Sequence, residues 1–242
     1  MSLANTVIPE QPHSTTWWAR NGLIALGLLF GMAVPLYLFG TLAEDVIKHE
    51  VFFFDAPVLQ FMHAHATPAL DAVMVFFARA GSARVLLPFN IAVLVLLIVR
   101  RDRVHQVFWL LATGGAALIN LMAKNAFSRV RPSLWISILP ETTFSFPSGH
   151  AMQSMAVSLA LVVMLWHTRW RWLVLVLAIG FVGWVGACRV YLGVHYPSDI
   201  LAGWTASIAW VAGLAAALRI RERWQAPVVP AIHSVVSRAS SH

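Results

Sequence analysis

The stretch Cys188-Arg189-Val190-Tyr191-Leu192-Gly193-Val194-His195-Tyr196-Pro197-Ser198-Asp199 joins two long apolar runs and packs an arginine, a histidine and an aspartate into the joint. Proline at 197 suits the first turn of a helix, where its missing N–H costs nothing, and Asp199 suits that helix's positive end. His195 therefore falls just outside a helix start, with Asp199 about one turn further along and able to fold back onto it. A histidine oriented by a carboxylate, with the fixed cation Arg189 upstream, has the make-up of a nucleophile or base facing an anionic substrate. Taken alone, the stretch also reads as a plain polar hairpin between two helices. What surrounds it decides between the two.

Working outward, composition puts the chain in a membrane. Of 242 residues, 59% are hydrophobic and 11% charged, against about a quarter charged in soluble domains; mean hydropathy is +0.73. A formal charge of +7 raises nucleic-acid binding as a function. The arginines argue against it, because many sit in short loops at the ends of apolar runs, where topology determinants belong. The single cysteine, Cys188, excludes an intrachain disulfide framework.

Six spans are read, at about 22–42, 83–99, 104–123, 151–166, 172–187 and 200–218; the first is long enough to cross roughly 30 Å of hydrocarbon. The segment Glu44 to Leu70 mixes acids, Lys48, His49, His63, His65 and Phe52-Phe53-Phe54, and reads as an amphipathic helix lying at the interface. His63 and His65 are two apart and share no helical face, which speaks against a metal site there. A short apolar piece from Asp71 to Ala80 is punctuated by Gly81-Ser82. The expected fold class is all-α: a polytopic membrane protein with six transmembrane helices in a bundle and an extra interfacial helical segment between spans one and two. Residues 1–21 read as a polar N-terminal tail, 22–223 as the six-span domain and 224–242 as a flexible C-terminal tail.

Arginines orient the bundle. Arg100, Arg101 and Arg103 follow span two, Arg169 and Arg171 follow span four, and Arg219, Arg221 and Arg223 follow span six. The positive-inside rule places these ends, and both termini, in the cytoplasm. The opposite side receives Lys124 and Arg131-Pro132 after span three, Pro147-Ser148-Gly149-His150 before span four, and Arg189, His195 and Asp199 between spans five and six. Three cations converging without three matching acids repel one another unless something anionic completes the set. Helix starts at Ser148-Gly149-His150 and at Pro197-Ser198-Asp199 add backbone N–H groups and positive dipole ends. The ligand these groups describe is a phosphate. Other polar residues read as structural: Arg129 as a loop cation, Asp71, Arg79 and Arg84 as interface markers, Asn120 as a helix-packing group and most of the eleven tryptophans as membrane anchors.

These residues carry a resemblance. Lys124 to Arg131-Pro132 resembles the K-x6-R-P motif of the type-2 phosphatidic acid phosphatase superfamily, Pro147-Ser148-Gly149-His150 its P-S-G-H motif, and Arg189 through His195 to Asp199 its S-R-x5-H-x3-D motif. The three stand in the family's order over roughly Asp55 to Leu218. Cys188 departs from the pattern, standing where the family usually has serine, and a thiol is the weaker donor. The resemblance implies an integral-membrane lipid phosphatase. In it His195 attacks phosphorus to form a phosphohistidine, Asp199 holds the ring, and His150 protonates the leaving oxygen and then activates water. Lys124, Arg131, Arg189, Ser148 and Gly149 bind the phosphate, with no metal and no cofactor.

The implied partners are a lipid phosphate or polyprenyl diphosphate and the membrane lipids, with no nucleic acid and no obligate protein partner. The implied setting is a bacterial inner membrane with the site facing the periplasm or exterior. Among the family's bacterial substrates, undecaprenyl diphosphate is the leading expectation, with phosphatidylglycerophosphate and phosphatidic acid as alternatives. A phosphotransferase of the same superfamily and a non-catalytic lipid-binding or transport bundle are the competing functions.

Overall fold

The structure, a computed structural model, describes Gly22, Leu26, Gly27 and residues 29–225. The expected tail at 1–21, the start of the expected first span and positions 226–242 lie outside the described residues. A π-helical turn, Leu29–Ala33, leads into α1 (Val34–Ile47), followed by α2 (Asp55–Ala64), α3 (Pro68–Ala80) and α4 (Ala83–Val99). Then come α5 (Arg103–Phe127), α6 (Gly149–Leu165), α7 (Arg171–Tyr191) and α8 (Pro197–Gln225), with no strand among the described residues.

Local chemistry sets several boundaries. Thr67 caps α3 through its hydroxyl, which accepts from Leu70 N at 3.3 Å, and Pro68 stands where a missing N–H is harmless. Asp102 caps α5 by accepting from His105 N at 3.2 Å. Ser128 ends that helix in the left-handed region, at φ 47°. Four stretches are long and apolar enough to cross a membrane: Leu29–Ile47, Arg103–Phe127, Arg171–Tyr191 and Pro197–Leu218. The pair α3 and α4, bent by 45° at Gly81-Ser82, makes a fifth, whereas α6 has only 17 residues. The protein is an all-helical, multi-pass membrane protein.

The single interfacial helix expected from Glu44 to Leu70 is in fact three pieces. Helix α1 continues to Ile47, α2 occupies only Asp55–Ala64, and α3 begins at Pro68. His49 adopts φ 56°, which no helix continues through, and Pro68 inside a helix would forfeit a backbone bond.

The shortest candidate span sits at the centre. Helix α6 packs most extensively along α7 and α8 and next against α5. It buries Ala151, Met152, Ser154, Ala156, Val157, Ser158, Ala160 and Val162, residues on every side of its axis. A helix that is apolar all round belongs inside, and its small side chains let the neighbours approach closely. On the outer helices, Phe30, Tyr37, Leu87, Leu118, Val176 and Ile179 stay exposed. So broad an exposed apolar surface marks a membrane interface.

Chain direction then brings the motifs together. The C-terminal ends of α5 and α7 and the N-terminal starts of α6 and α8 share one end of the bundle, with the 128–148 loop folded over it. Arg131 Nη1 donates to the Val194 carbonyl at 2.6 Å and Ser148 N to the Asp199 carbonyl at 3.1 Å, which ties the three motif regions to one another.

Candidate active site

His195 follows the tight end of α7, where Gly193 takes φ +68°, a conformation that favours glycine. A Cβ at that position would lie 2.6 Å from the Trp135 ring. His195 is buried, and its Nδ1 faces Asp199 Oδ2 and Ser145 Oγ, each at 3.3 Å. Its Nε2 lies 3.0 Å from Arg131 Nη1. A guanidinium only donates, so Nε2 is the acceptor and the ring proton rests on Nδ1, pointing at the carboxylate. Burial pushes the His195 pKa down to about 4. The Asp199 hydrogen bond and charge pull it up, and Arg131 and Arg189 press it down. At neutral pH the ring is uncharged, with the Nε2 lone pair turned toward Arg131.

Asp199 is held on all sides. Oδ2 accepts from Ser145 Oγ at 2.5 Å and from Tyr196 N at 2.9 Å, and Oδ1 accepts from Arg129 Nη1 at 2.6 Å.

The three expected phosphate cations are linked through shared partners: Arg131 and Lys124 both reach Thr143, and Arg131 and Arg189 both face Glu141. Arg131 also donates through Nε to the Thr143 carbonyl at 2.6 Å, and Lys124 Nζ donates to Thr143 Oγ1 at 2.8 Å. Burial holds Arg131 below its ordinary pKa, with Glu141 drawing it back up. Arg189 is 1% exposed; its Nη2 donates to Glu141 Oε1 at 2.6 Å, and its buried Nε has no partner among the described residues. The other Glu141 oxygen is 3.8 Å from Arg131 Nη2, so one carboxylate lies between two guanidinium groups. His150, in the first turn of α6, is within electrostatic reach of Arg189, His195 and Lys124.

Ser148 and Gly149 are placed differently from the cations. The Ser148 hydroxyl is buried and accepts from Ala151 N at 3.5 Å as the α6 cap. Gly149 is where Asn120 approaches, since a Cβ would lie 2.9 Å from Asn120 Oδ1. Asn120 Nδ2 donates to the Pro147 carbonyl at 3.0 Å, so it both packs the helix and anchors the motif loop. Cys188 points away from the pocket: it is buried in an apolar cluster with Met74, Ala78 and Leu192, its thiol donating to the Val185 carbonyl at 3.1 Å.

With this geometry described, known proteins supply the family. The PAP2 superfamily model matches residues 105–223. Phosphatidylglycerophosphatase B of Bacillus subtilis (strain 168) is 31% identical over 143 residues, covering 57% of this chain and 70% of the relative. The chain belongs to the PAP2 superfamily. Undecaprenyl-diphosphatase of Sulfolobus acidocaldarius is 26% identical over 66% of the chain and 76% of its own length. The crystal structure of a transmembrane PAP2-type phosphatidylglycerolphosphate phosphatase from Bacillus subtilis superposes with a TM-score of 0.68 at 27% identity, covering 77% of this chain and 96% of that one. As a PAP2 protein with such relatives, this chain is a membrane phosphatase.

Three further residues line the same pocket without any motif to mark them. Glu141, Thr143 and Ser145 sit in the irregular 128–148 loop, where no periodicity marks which side chains turn inward. Arg129 was read as a loop cation. The structure corrects this: it is mostly buried and donates to Asp199, Ser198 and Asp55. Its spacing of two from Arg131 was the available signal. Asp71, read as an interface marker, accepts from Tyr191 OH at 2.7 Å and ties α3 to the end of α7. Arg79 and Arg84 are exposed.

Proposed function

We propose that this PAP2 protein hydrolyses the terminal phosphate of a membrane lipid phosphate or diphosphate through a phosphohistidine on His195, with undecaprenyl diphosphate as the leading substrate. One observation carries the reading: a buried His195 whose Nδ1 lies 3.3 Å from Asp199 Oδ2 and whose Nε2 meets Arg131, which shares partners with Lys124 and Arg189.

In this mechanism the Nε2 lone pair attacks phosphorus in line, the N–P bond forms and the P–O bond to the leaving group breaks. His150 gives its proton to that oxygen, then takes one from water as the water attacks phosphorus, the N–P bond breaks and phosphate departs. Asp199 stabilises the positive ring of the intermediate. Lys124, Arg131 and Arg189 neutralise the equatorial oxygens, the phosphate taking the place of the Glu141 carboxylate and meeting the free Arg189 Nε–H. The Gly149 N–H adds a donor at the start of α6, and Ser148 contributes by capping that helix.

We further infer that α6 is itself a span and that α3 with α4 is another, which makes six within 22–223, with the arginine-rich ends and both termini cytoplasmic. The phosphate pocket then faces the exterior of a bacterial inner membrane, where a lipid headgroup reaches it while the tails stay in the bilayer. No metal and no protein partner is needed, because the fixed cations carry the charge.

A second reading, phosphatidylglycerophosphate as substrate, is favoured by the Bacillus subtilis relative and its structure. A panel of undecaprenyl diphosphate, phosphatidylglycerophosphate and phosphatidic acid, assayed in detergent with EDTA, separates them by kcat/KM. Activity that disappears with EDTA and returns with a divalent metal ends the metal-free mechanism. His195→Ala is expected to abolish phosphate release, with a loss of at least ~10³-fold. A variant that keeps its rate ends the catalytic reading.

A further inference from the structure

Behind the His195–Asp199 pair lies a second, fully organised polar cluster. Arg129 enters from the loop after α5, and its guanidinium spans three partners: Nη1 donates to Asp199 Oδ1 at 2.6 Å and Ser198 Oγ at 2.8 Å, and Nη2 donates to Asp55 Oδ2 at 3.0 Å. Asp55, the first residue of α2, is 2% exposed. It accepts from Ser198 N at 2.9 Å and Ser198 Oγ at 2.6 Å, which places its carboxylate on the N-terminus of α8. The Arg129 guanidinium lies 4.1 Å from the centre of the Tyr196 ring, with Phe52 at 5.4 Å on its other contact.

Two buried carboxylates with one guanidinium between them, and every Asp55 oxygen matched to a donor, is a costly arrangement to desolvate. Its geometry is directed: all of it converges on Ser198, in the first turn of α8, and on the one Asp199 oxygen that does not face His195.

We propose that Arg129, held by Asp55, is a positioning residue: it fixes the Asp199 carboxylate and the start of α8, and through them aims His195 Nε2 at the phosphate. The inference rests on the catalytic reading of His195. Arg129 touches neither His195 nor the phosphate cations; it acts through Asp199. Its planar fork is what the site uses, since a lysine ammonium cannot meet Asp55 and Asp199 in the same orientation.

The test uses the full-length protein purified in detergent, with dioctanoyl phosphatidic acid as probe and thermal unfolding followed in parallel. Arg129→Gln is expected to lower kcat by roughly 10²-fold with KM within about twofold, as loss of an aimed nucleophile does. It also removes a cation from the surroundings of His195, which otherwise comprise Arg131 and Lys124 on the α5 side, Arg189 on α7, His150 on α6, and Glu141 and Asp199. The acid limb of kcat/KM therefore moves to higher pH. Arg129→Lys keeps the charge and loses the fork, so kcat falls roughly tenfold while the limb stays in place.

A fall in kcat with an unmoved limb in Arg129→Gln marks a merely structural role and overturns the proposal. So does a kcat within about threefold of the parent while His195→Ala is dead. If Arg129→Gln does not fold, Arg129→Lys decides by the same threefold criterion. An active His195→Ala would instead overturn the catalytic reading beneath it.

Discussion

The two ends of the bundle use arginine in opposite ways. At the end opposite the site, Arg169 and Arg171 lie over the rings of Trp170 and Trp172, and Asp102 pairs with His105 at 2.6 Å in the open. Each group there has a single partner and ready water. At the site end, Arg129, Arg131 and Arg189 are buried or nearly so and are held by carboxylates, carbonyls and one another's partners. The same residue type stands exposed against aromatic rings in one place and buried among carboxylates and carbonyls in the other. Exposed pairs are screened and worth little, whereas a desolvated cation must be met by partners.

That contrast is broken most directly at Arg189. Its replacement by lysine exchanges a planar fork for a point charge at a buried site, and kcat/KM is expected to drop roughly 10²-fold with the fold intact. A drop of less than threefold would make the two ends equivalent.

The pH profile probes the same burial. Because His195 is pushed down to about 4 while an unfolded histidine binds its proton near 6.5, the folded protein binds fewer protons between those values. Stability is then full above about 6.5 and declines as pH falls toward about 4. kcat/KM follows the neutral ring and shows its acid limb well below the usual histidine range. A limb at 6.5 would mean that His195 is solvated.

Glu141 sharpens the comparison from the acidic side. Its carboxylate lies between Arg131 and Arg189, the place the proposed phosphate would take. Glu141→Gln is expected to tighten inhibition by inorganic phosphate roughly tenfold, the size of one charge–charge repulsion in a partly desolvated site. An unchanged inhibition constant would separate Glu141 from the phosphate position. The smallest effect belongs to the far end. Asp102→Ala removes the α5 cap and costs about 1 kcal/mol of stability, with kcat/KM within twofold. A larger loss of activity there would show the two ends to be coupled.

Much of this was legible in the chain. Apolar runs mark helices wherever one solvent, lipid, surrounds them, so α4 to α8 fall close to the spans read from composition. The motif residues Lys124, Arg131, His150, Arg189, His195 and Asp199 were legible because each sits at a helix end, where the polarity change is abrupt. The 44–70 segment was misjudged because its mixed composition has no single period. His49 in the left-handed region and Pro68 at a helix start broke it into pieces.

Sequence by itself determined the solvent, the positions of the long apolar helices and the motif residues that point to an anion. Those depend on local composition and on fixed spacings along one chain. Only the tertiary structure decided which way His195 faces, that Glu141 lies between two guanidinium groups, and that Arg129 is not a surface charge but the link from Asp55 to Asp199. Glu141 and Arg189 are 48 residues apart in the chain, and Arg129 is 70 from Asp199 and 74 from Asp55. Their pairing is set by desolvation at the packed end of the bundle, a property that no stretch of the chain possesses alone.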